Sequence, residues 1–191
     1  MTDVQNAKIL IVATDGVEQS ELLVPRRKLA EAGAAVTLAA PHGPRIRGWN
    51  ETDWGEEIEV DALLDEVSAG GFHVLVLPGG VLNPDRLRLD PRVIGLVKDF
   101  LAAGKIVAAI CHAPWLLIEA GVVEGRELTS VPAIRADVVN AGGLWVDRPA
   151  VVTGGMITSR TPDDLDAFVT AIVAEVEGQA LLAGEPFRRS A

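Results

Sequence analysis

Short apolar runs alternate along the chain with segments in which apolar residues recur every three or four positions. The runs at 8–13, 35–39, 74–77 and 106–110 are apolar at nearly every position, so neither face of such a strand is suited to water, as in strands buried within a parallel sheet. Pro25 predicts the start of a helix that carries Leu29, Ala30 and Ala32 and ends at Gly33. Asp90 as N-cap, Pro91 at the first helical position, Val93, Ile94, Val97, Phe100 and Leu101 on one face, and Gly104 past the end predict another. Pro114 opens a helix with Leu116, Leu117, Ile118 and Ala120, and 134–141 reads as one stopped by Gly142 and Gly143. Thr161, Pro162 and Asp164 predict the start of a last helix that buries Leu165, Phe168, Val169, Ile172, Val173 and Val176, with a frayed tail from Gly178.

The remaining segments carry weaker patterns. An acidic loop is expected at 14–21, a surface excursion without sustained period at 41–55, a short edge strand at 57–60 and a helix at 60–67. Leu128 begins a short strand, and 144–146, 151–153 and 156–159 read as a strand followed by a hairpin. Alternation of strands and helices predicts an α/β protein, a three-layer α/β/α sandwich on a mostly parallel central sheet. At 191 residues it is expected to be a single domain, 1–191, with its core at about 8–176.

Composition narrows the partners. A formal charge of -10 and a pI of about 4.7 disfavour nucleic acid and anionic membrane surfaces, because phosphates would be repelled. Small molecules or proteins are the expected partners. A single cysteine excludes an intrachain disulfide framework, and no basic segment followed by a signal-length apolar run opens the chain, so a cytoplasmic location is expected. No apolar run approaches the ~20 residues that span a bilayer.

That cysteine, Cys111, stands where the 106–110 strand meets the Pro114 helix. A thiol there leaves the carboxyl end of the sheet, where open α/β folds bind ligands, and faces the positive end of the following helix, which predicts a pKa below the ~8.5 of a free thiol. This is a nucleophile elbow with sulfur in place of a hydroxyl, and His112 follows at once. Gly79 and Gly80 close the 74–77 strand at the same edge, where backbone N–H groups can form an oxyanion hole or a plain tight turn. There is no G-x-G-x-x-G, P-loop, H-E-x-x-H or paired-cysteine motif, and the three histidines are scattered, so no metal or cofactor is expected.

Four motifs in order, Asp15-Gly16-Val17-Glu18, Leu77-Pro78-Gly79-Gly80 with Asn83-Pro84-Asp85, Ala109-Ile110-Cys111-His112-Ala113-Pro114, and 158–165, resemble the ThiJ/PfpI family, and specifically its PfpI-like intracellular protease branch. The resemblance implies a flavodoxin-like fold of the class I glutamine amidotransferase superfamily, a stress-linked function and a homodimer or larger homo-oligomer. It assigns Cys111 as nucleophile, His112 as neighbouring base or oxyanion donor, Glu18 as the acid that approaches the sulfur, and Gly79 and Gly80 to the oxyanion side. Two ionised groups in contact are unfavourable, so Glu18 is expected to stay neutral and donate a hydrogen bond to the thiolate, while Glu21 reads as an exposed acid. The chain departs from the family pattern at Ala113, where many members have a glycine that frees the backbone and the substrate's approach. It departs again at Asp85, where the archetypal peptidase has a glutamate supplied by a neighbouring subunit; the shorter side chain reaches His112 only through water, which bears on proteolysis.

Three functions follow. A glyoxalase or deglycase acting on reactive carbonyls needs a thiolate, a proton shuttle and a small pocket. A cysteine peptidase must also expel an amine, which demands stronger oxyanion stabilisation. A redox sensor or holdase chaperone needs only the reactive thiol. Glutaminase chemistry fails on inventory, since no histidine follows His112.

Overall fold

The computed structural model describes residues 3–183. In chain order the elements are β1 (Lys8–Val12), β2 (Val17–Glu18), α1 (Gln19–Glu31), β3 (Ala35–Ala40), β4 (Arg45–Asn50), β5 (Asp53–Glu59), β6 (Ala62–Leu63), β7 (Val74–Leu77), α2 (Leu82–Leu87), α3 (Pro91–Ala102), β8 (Ile106–Ile110), α4 (Pro114–Glu119), β9 (Glu127–Leu128), α5 (Arg135–Asn140), β10 (Leu144–Trp145), β11 (Ala150–Thr153), β12 (Met156–Ser159) and α6 (Leu165–Ala183). The central sheet has the order β11-β12-β8-β7-β1-β3-β6 and is parallel except for β11, which returns antiparallel on β12.

Alternate residues of the inner strands feed two cores. Ile9, Ile11, Val74, Val76, Ala108 and Ile110 pack with Leu22 and Leu29 of α1 and Phe168 and Ile172 of α6. Leu10, Val12, Leu75, Leu77, Val107 and Ala109 pack with Val93, Val97 and Phe100 of α3 and Leu116 and Leu117 of α4. This is the predicted three-layer sandwich. Because α1 leaves β1 toward one layer and α2 and α3 leave β7 toward the other, a crevice opens between the carboxyl ends of β1 and β7, next to the end of β8.

Several local expectations are corrected. The 14–21 loop is cut short: α1 begins at Gln19 and Pro25 lies inside it, its buried stripe being Glu21, Leu22, Pro25 and Leu29. The 41–55 excursion is mostly a hairpin, β4 against β5, docked through β2 with Glu18 beside Trp49. Only Ile46, Gly48 and Ile58 of its strands are buried, so the hairpin is a wall rather than core and leaves little hydrophobic period to read. Residues 60–67 form β6 and a short 3-10 turn instead of a helix, because only Leu64 among them turns fully inward. The short α2 had no predicted counterpart. The last helix continues through Gly178 to Ala183, and the rest of the predicted tail lies outside the described residues.

Asn83 of α2 fastens the crevice. Its Oδ1 accepts the Thr14 N–H at 2.8 Å, and its Nδ2 donates to the carbonyls of Pro78 at 2.8 Å and Gly79 at 3.2 Å, joining the loops after β1 and β7 from a fully buried position. Asn83→Ala strands these groups away from water, and since an unmade buried hydrogen bond costs about 1–3 kcal/mol, urea unfolding is expected to show a loss of at least about 2 kcal/mol. A loss under about 0.5 kcal/mol would mean that the two loops hold their places without it.

Candidate active site

The edge formed by β1, β7 and β8 places Cys111 in a left-handed conformation, φ 63°, which is uncommon for a residue with a Cβ. Its N–H donates to the Ser159 carbonyl at 3.1 Å and its carbonyl accepts the Val131 N–H at 3.0 Å, so neighbouring segments hold the strained residue in place. The side chain is turned off the strand axis into a cleft of about 440 Å³ lined by Glu18, Glu21, Trp49, Glu51, Gly80 and His112, among others. Cys111 itself is only 9% exposed.

Glu21, read from the sequence as an exposed acid, is fully buried and is the carboxyl in contact with the sulfur. Its Oε2 accepts the Gly79 N–H at 2.8 Å, while Oε1 has no hydrogen-bond partner among the described residues. Burial pushes this carboxyl up to about 8, so it holds its proton at neutral pH. Glu18, the acid expected at the sulfur, instead accepts from the Ser20 hydroxyl at 3.3 Å and from the Glu51 backbone, half-buried in the cleft wall, and its pKa is raised chiefly by burial.

Burial, and after it the charge that Glu21 would carry, push the Cys111 thiol up, while N–H groups of Gly80 and His112 pull it down. The expectation of a simply depressed thiol is therefore corrected: α4 is a six-residue helix, too short to outweigh desolvation beside an acid. The two groups titrate as a pair. The doubly ionised form is disfavoured, and a Glu21 that keeps its proton removes the repulsion and supplies a donor. His112 Nδ1 lies 3.3 Å from Sγ, and burial lowers the pKa of the ring, leaving it neutral and able to accept a proton. The ring packs against Trp115 at 5.2 Å between centroids.

Gly80 has φ 81°, and a Cβ there would come within 2.7 Å of the Glu18 nitrogen and the Gly16 oxygen, so only glycine fits. Its N–H reaches the sulfur, whereas the Gly79 N–H, expected on the oxyanion side, is committed to Glu21.

A model of the DJ-1/PfpI family matches residues 7–175. This chain belongs to that family. It is 41% identical over 166 residues to Deglycase TK1284 of Thermococcus kodakarensis, covering 87% of this chain and 97% of the relative. It is 40% identical over 172 residues to General stress protein 18 of Bacillus subtilis, covering 89% and 98%. The crystal structure of Drosophila melanogaster DJ-1beta superposes with a TM-score of 0.83 at 31% identity, covering 93% of this chain and 92% of that one.

Within this DJ-1/PfpI site the two departures from the family pattern fall in different places. Ala113 is fully buried in the α3/α4 core with φ -59°, and its N–H donates to Ile110, so it neither lines the cleft nor needs a glycine's freedom. Asp85 is exposed on α2 and does not line the cleft of its own chain, although Val81 and Leu82 next to it do. Among the described residues no group of three or more His, Cys, Asp or Glu is placed to hold a metal, and no helix is long and apolar enough to cross a membrane.

Proposed function

We propose that this member of the DJ-1/PfpI family is a cysteine-dependent deglycase or glyoxalase, with Cys111 as nucleophile acting on reactive carbonyls or their adducts. The observation that carries the reading is the strained Cys111 pressed between a buried, protonated Glu21 and a neutral His112 at the floor of the cleft. The names of the deglycase relatives point the same way.

With an α-oxoaldehyde the steps balance without an external oxidant. The thiolate adds to the aldehyde carbon, a C–S bond forms, the π pair moves to oxygen, and that oxygen takes the proton Glu21 held, giving a hemithioacetal. His112 is placed to take the proton from this carbon and return it to the neighbouring carbon, while the proton of the first carbon's hydroxyl passes to the neighbouring oxygen through an enediol. The first carbon is thereby oxidised to a thioester as the second is reduced to an alcohol, and water releases a hydroxy acid and the thiol. Peptide hydrolysis asks more of the site. The Gly79 donor is already used, leaving Gly80 and His112 N–H groups, which also serve the sulfur, to hold a tetrahedral oxyanion.

The reading includes a cytoplasmic homo-oligomer in which Asp85 of one copy completes the cysteine-histidine pair of another. Val81, Leu82 and Leu89 support it, being 54%, 38% and 82% exposed around Asp85 and giving a second copy apolar surface to cover at the cleft's rim. The test of the chemistry is hydroxy acid release from methylglyoxal and from a methylglyoxal-modified peptide, beside cleavage of fluorogenic peptides. Wild type should act on the carbonyl substrates and Cys111→Ala should lose at least about 10²-fold. Equal rates for the two proteins would end the enzyme reading, and peptide cleavage without carbonyl turnover would replace it with the peptidase.

A further inference from the structure

The cleft has an outer wall that the chemistry at Cys111 does not use. Trp49 and Glu51 come from the β4–β5 hairpin and Glu18 from the end of β2, and all three line the same cavity as Cys111. The wall is built rather than incidental. Glu51 holds a left-handed φ of 56°, its carbonyl accepts the Trp49 Nε1–H at 3.0 Å, and its N–H donates to the Glu18 carboxylate. The Trp49 ring is propped edge-on by Trp54 at 5.6 Å, which in turn lies under the Arg47 guanidinium at 5.7 Å.

Among the described residues no lysine or arginine lines the cavity. The nearby guanidinium groups are engaged elsewhere, Arg47 with the Gly55 carbonyl, Arg86 with the Asp15 carbonyl and Arg160 between Asp147 and Asp164. An aromatic face and two carboxylates at the mouth, within a chain of charge -10, make surroundings that attract a cation and repel an anion.

We propose that Trp49, Glu51 and Glu18 form a cation subsite beside Cys111, which selects electrophiles carrying an ammonium or guanidinium group over the same electrophile carrying a carboxylate, sulfonate or phosphate. This rests on the reading of Cys111 as the cleft's nucleophile. The hairpin is then the specificity element and the β8 elbow the reactive one.

Methanethiosulfonates test the subsite without any turnover. The Cys111 thiolate attacks their sulfenyl sulfur, a disulfide forms and methanesulfinate leaves, so three reagents of one chemistry can differ only in the charge of their tail: trimethylammonioethyl, hydroxyethyl and sulfonatoethyl. Rates are read by intact mass at low ionic strength, each divided by that reagent's rate on 2-mercaptoethanol. The cationic reagent should exceed the anionic one by about 10- to 100-fold, as expected of two nearby carboxylates, and the neutral one should fall between. Glu18→Gln or Glu51→Gln should each shrink that ratio several-fold, and Trp49→Leu should slow the cationic reagent while leaving the neutral one unchanged. Asp99→Asn removes an equal charge from the last turn of α3, at the opposite edge of the sheet, and should leave the ratio as it is.

Equal normalised rates, an Asp99→Asn effect as large as that of Glu51→Gln, or a Cys111 that none of the reagents reaches would each overturn the subsite. The two readings fail separately. A charge preference in labelling with no carbonyl turnover keeps the subsite and removes the deglycase, and turnover without a charge preference does the reverse.

Discussion

Replacing Glu21 by leucine is expected to slow alkylation of Cys111 by iodoacetamide at pH 7 by about 10- to 100-fold. A charge-assisted hydrogen bond contributes about 1.5–3 kcal/mol, which is about one to two pKa units of thiolate stabilisation. Glu21 can supply that bond because burial raises its own pKa to about 8 and keeps it protonated beside the sulfur. Leucine removes the donor and keeps the desolvation, so the thiolate fraction falls. Glu21→Gln retains a weaker, neutral donor and should lie between. Glu18→Leu should leave the profile near wild type, since Glu18 meets Ser20 and Glu51 rather than the sulfur. If Glu18→Leu has the larger effect, the carboxyl that governs the thiol is not the one in contact with it.

The same carboxyl makes stability depend on pH. An acid with a folded pKa of about 8 against 4.5 unfolded keeps its proton in the native state when the unfolded chain has lost it. Native protein then binds more protons than unfolded between these values, so unfolding free energy falls as pH rises from about 4.5 to 8. Cys111, also pushed above the ordinary thiol range by burial, adds a loss in the same direction only at higher pH. Urea midpoints at pH 5, 7 and 8.5 should decline for wild type and be nearly level for Glu21→Gln. A wild-type midpoint that climbs over this range would show that Glu21 is ionised in the folded protein.

Where the sequence was legible, the signal was burial on both faces of a strand. The runs that became β1, β3, β7 and β8 are continuous because helices cover both sides, and the elbow at Cys111 follows from strand, cysteine and Pro114 in succession. Glu21 was misplaced for one identifiable reason. By its sequence Pro25 reads as a helix start, whereas the helix begins six residues earlier and accepts the proline in its interior. Extending the stripe of Leu29, Pro25 and Leu22 back by one turn places Glu21 on the buried face, four residues before Pro25, and a lone acid on such a stripe is a sign of a functional carboxyl. The hairpin gave no comparable signal. Apart from Ile46 and Ile58 its side chains face the cleft or solvent, so Trp49 and Glu51 show neither a strand's alternation nor a core's hydrophobicity. Ala113 could not be placed from the motif alone, because whether its methyl meets substrate or core depends on which way α4 departs.

The remaining prediction concerns Asp85, which stands outside the cleft of its own chain while the ring of His112 has only the sulfur as hydrogen-bond partner among the described residues. If a second copy presents its α2 to that ring, Asp85→Asn should lower kcat/KM by about 10²-fold, the usual contribution of a group that assists proton transfer. Cys111→Ala should be inactive. Mixing equal amounts of the two variants, unfolding and refolding them together, should recover activity, because a heterodimer joins the intact Cys111 of one chain to the intact Asp85 of the other. Random reassortment makes half the dimers heterodimers with one whole site in two, which gives about a quarter of the wild-type rate. Recovery cannot come from either variant alone, so it reports a site shared between chains and not a general loss of stability. Full activity of Asp85→Asn alone would remove any role for this side chain, and an impaired Asp85→Asn whose verified heterodimer stays inactive would place its action within one chain.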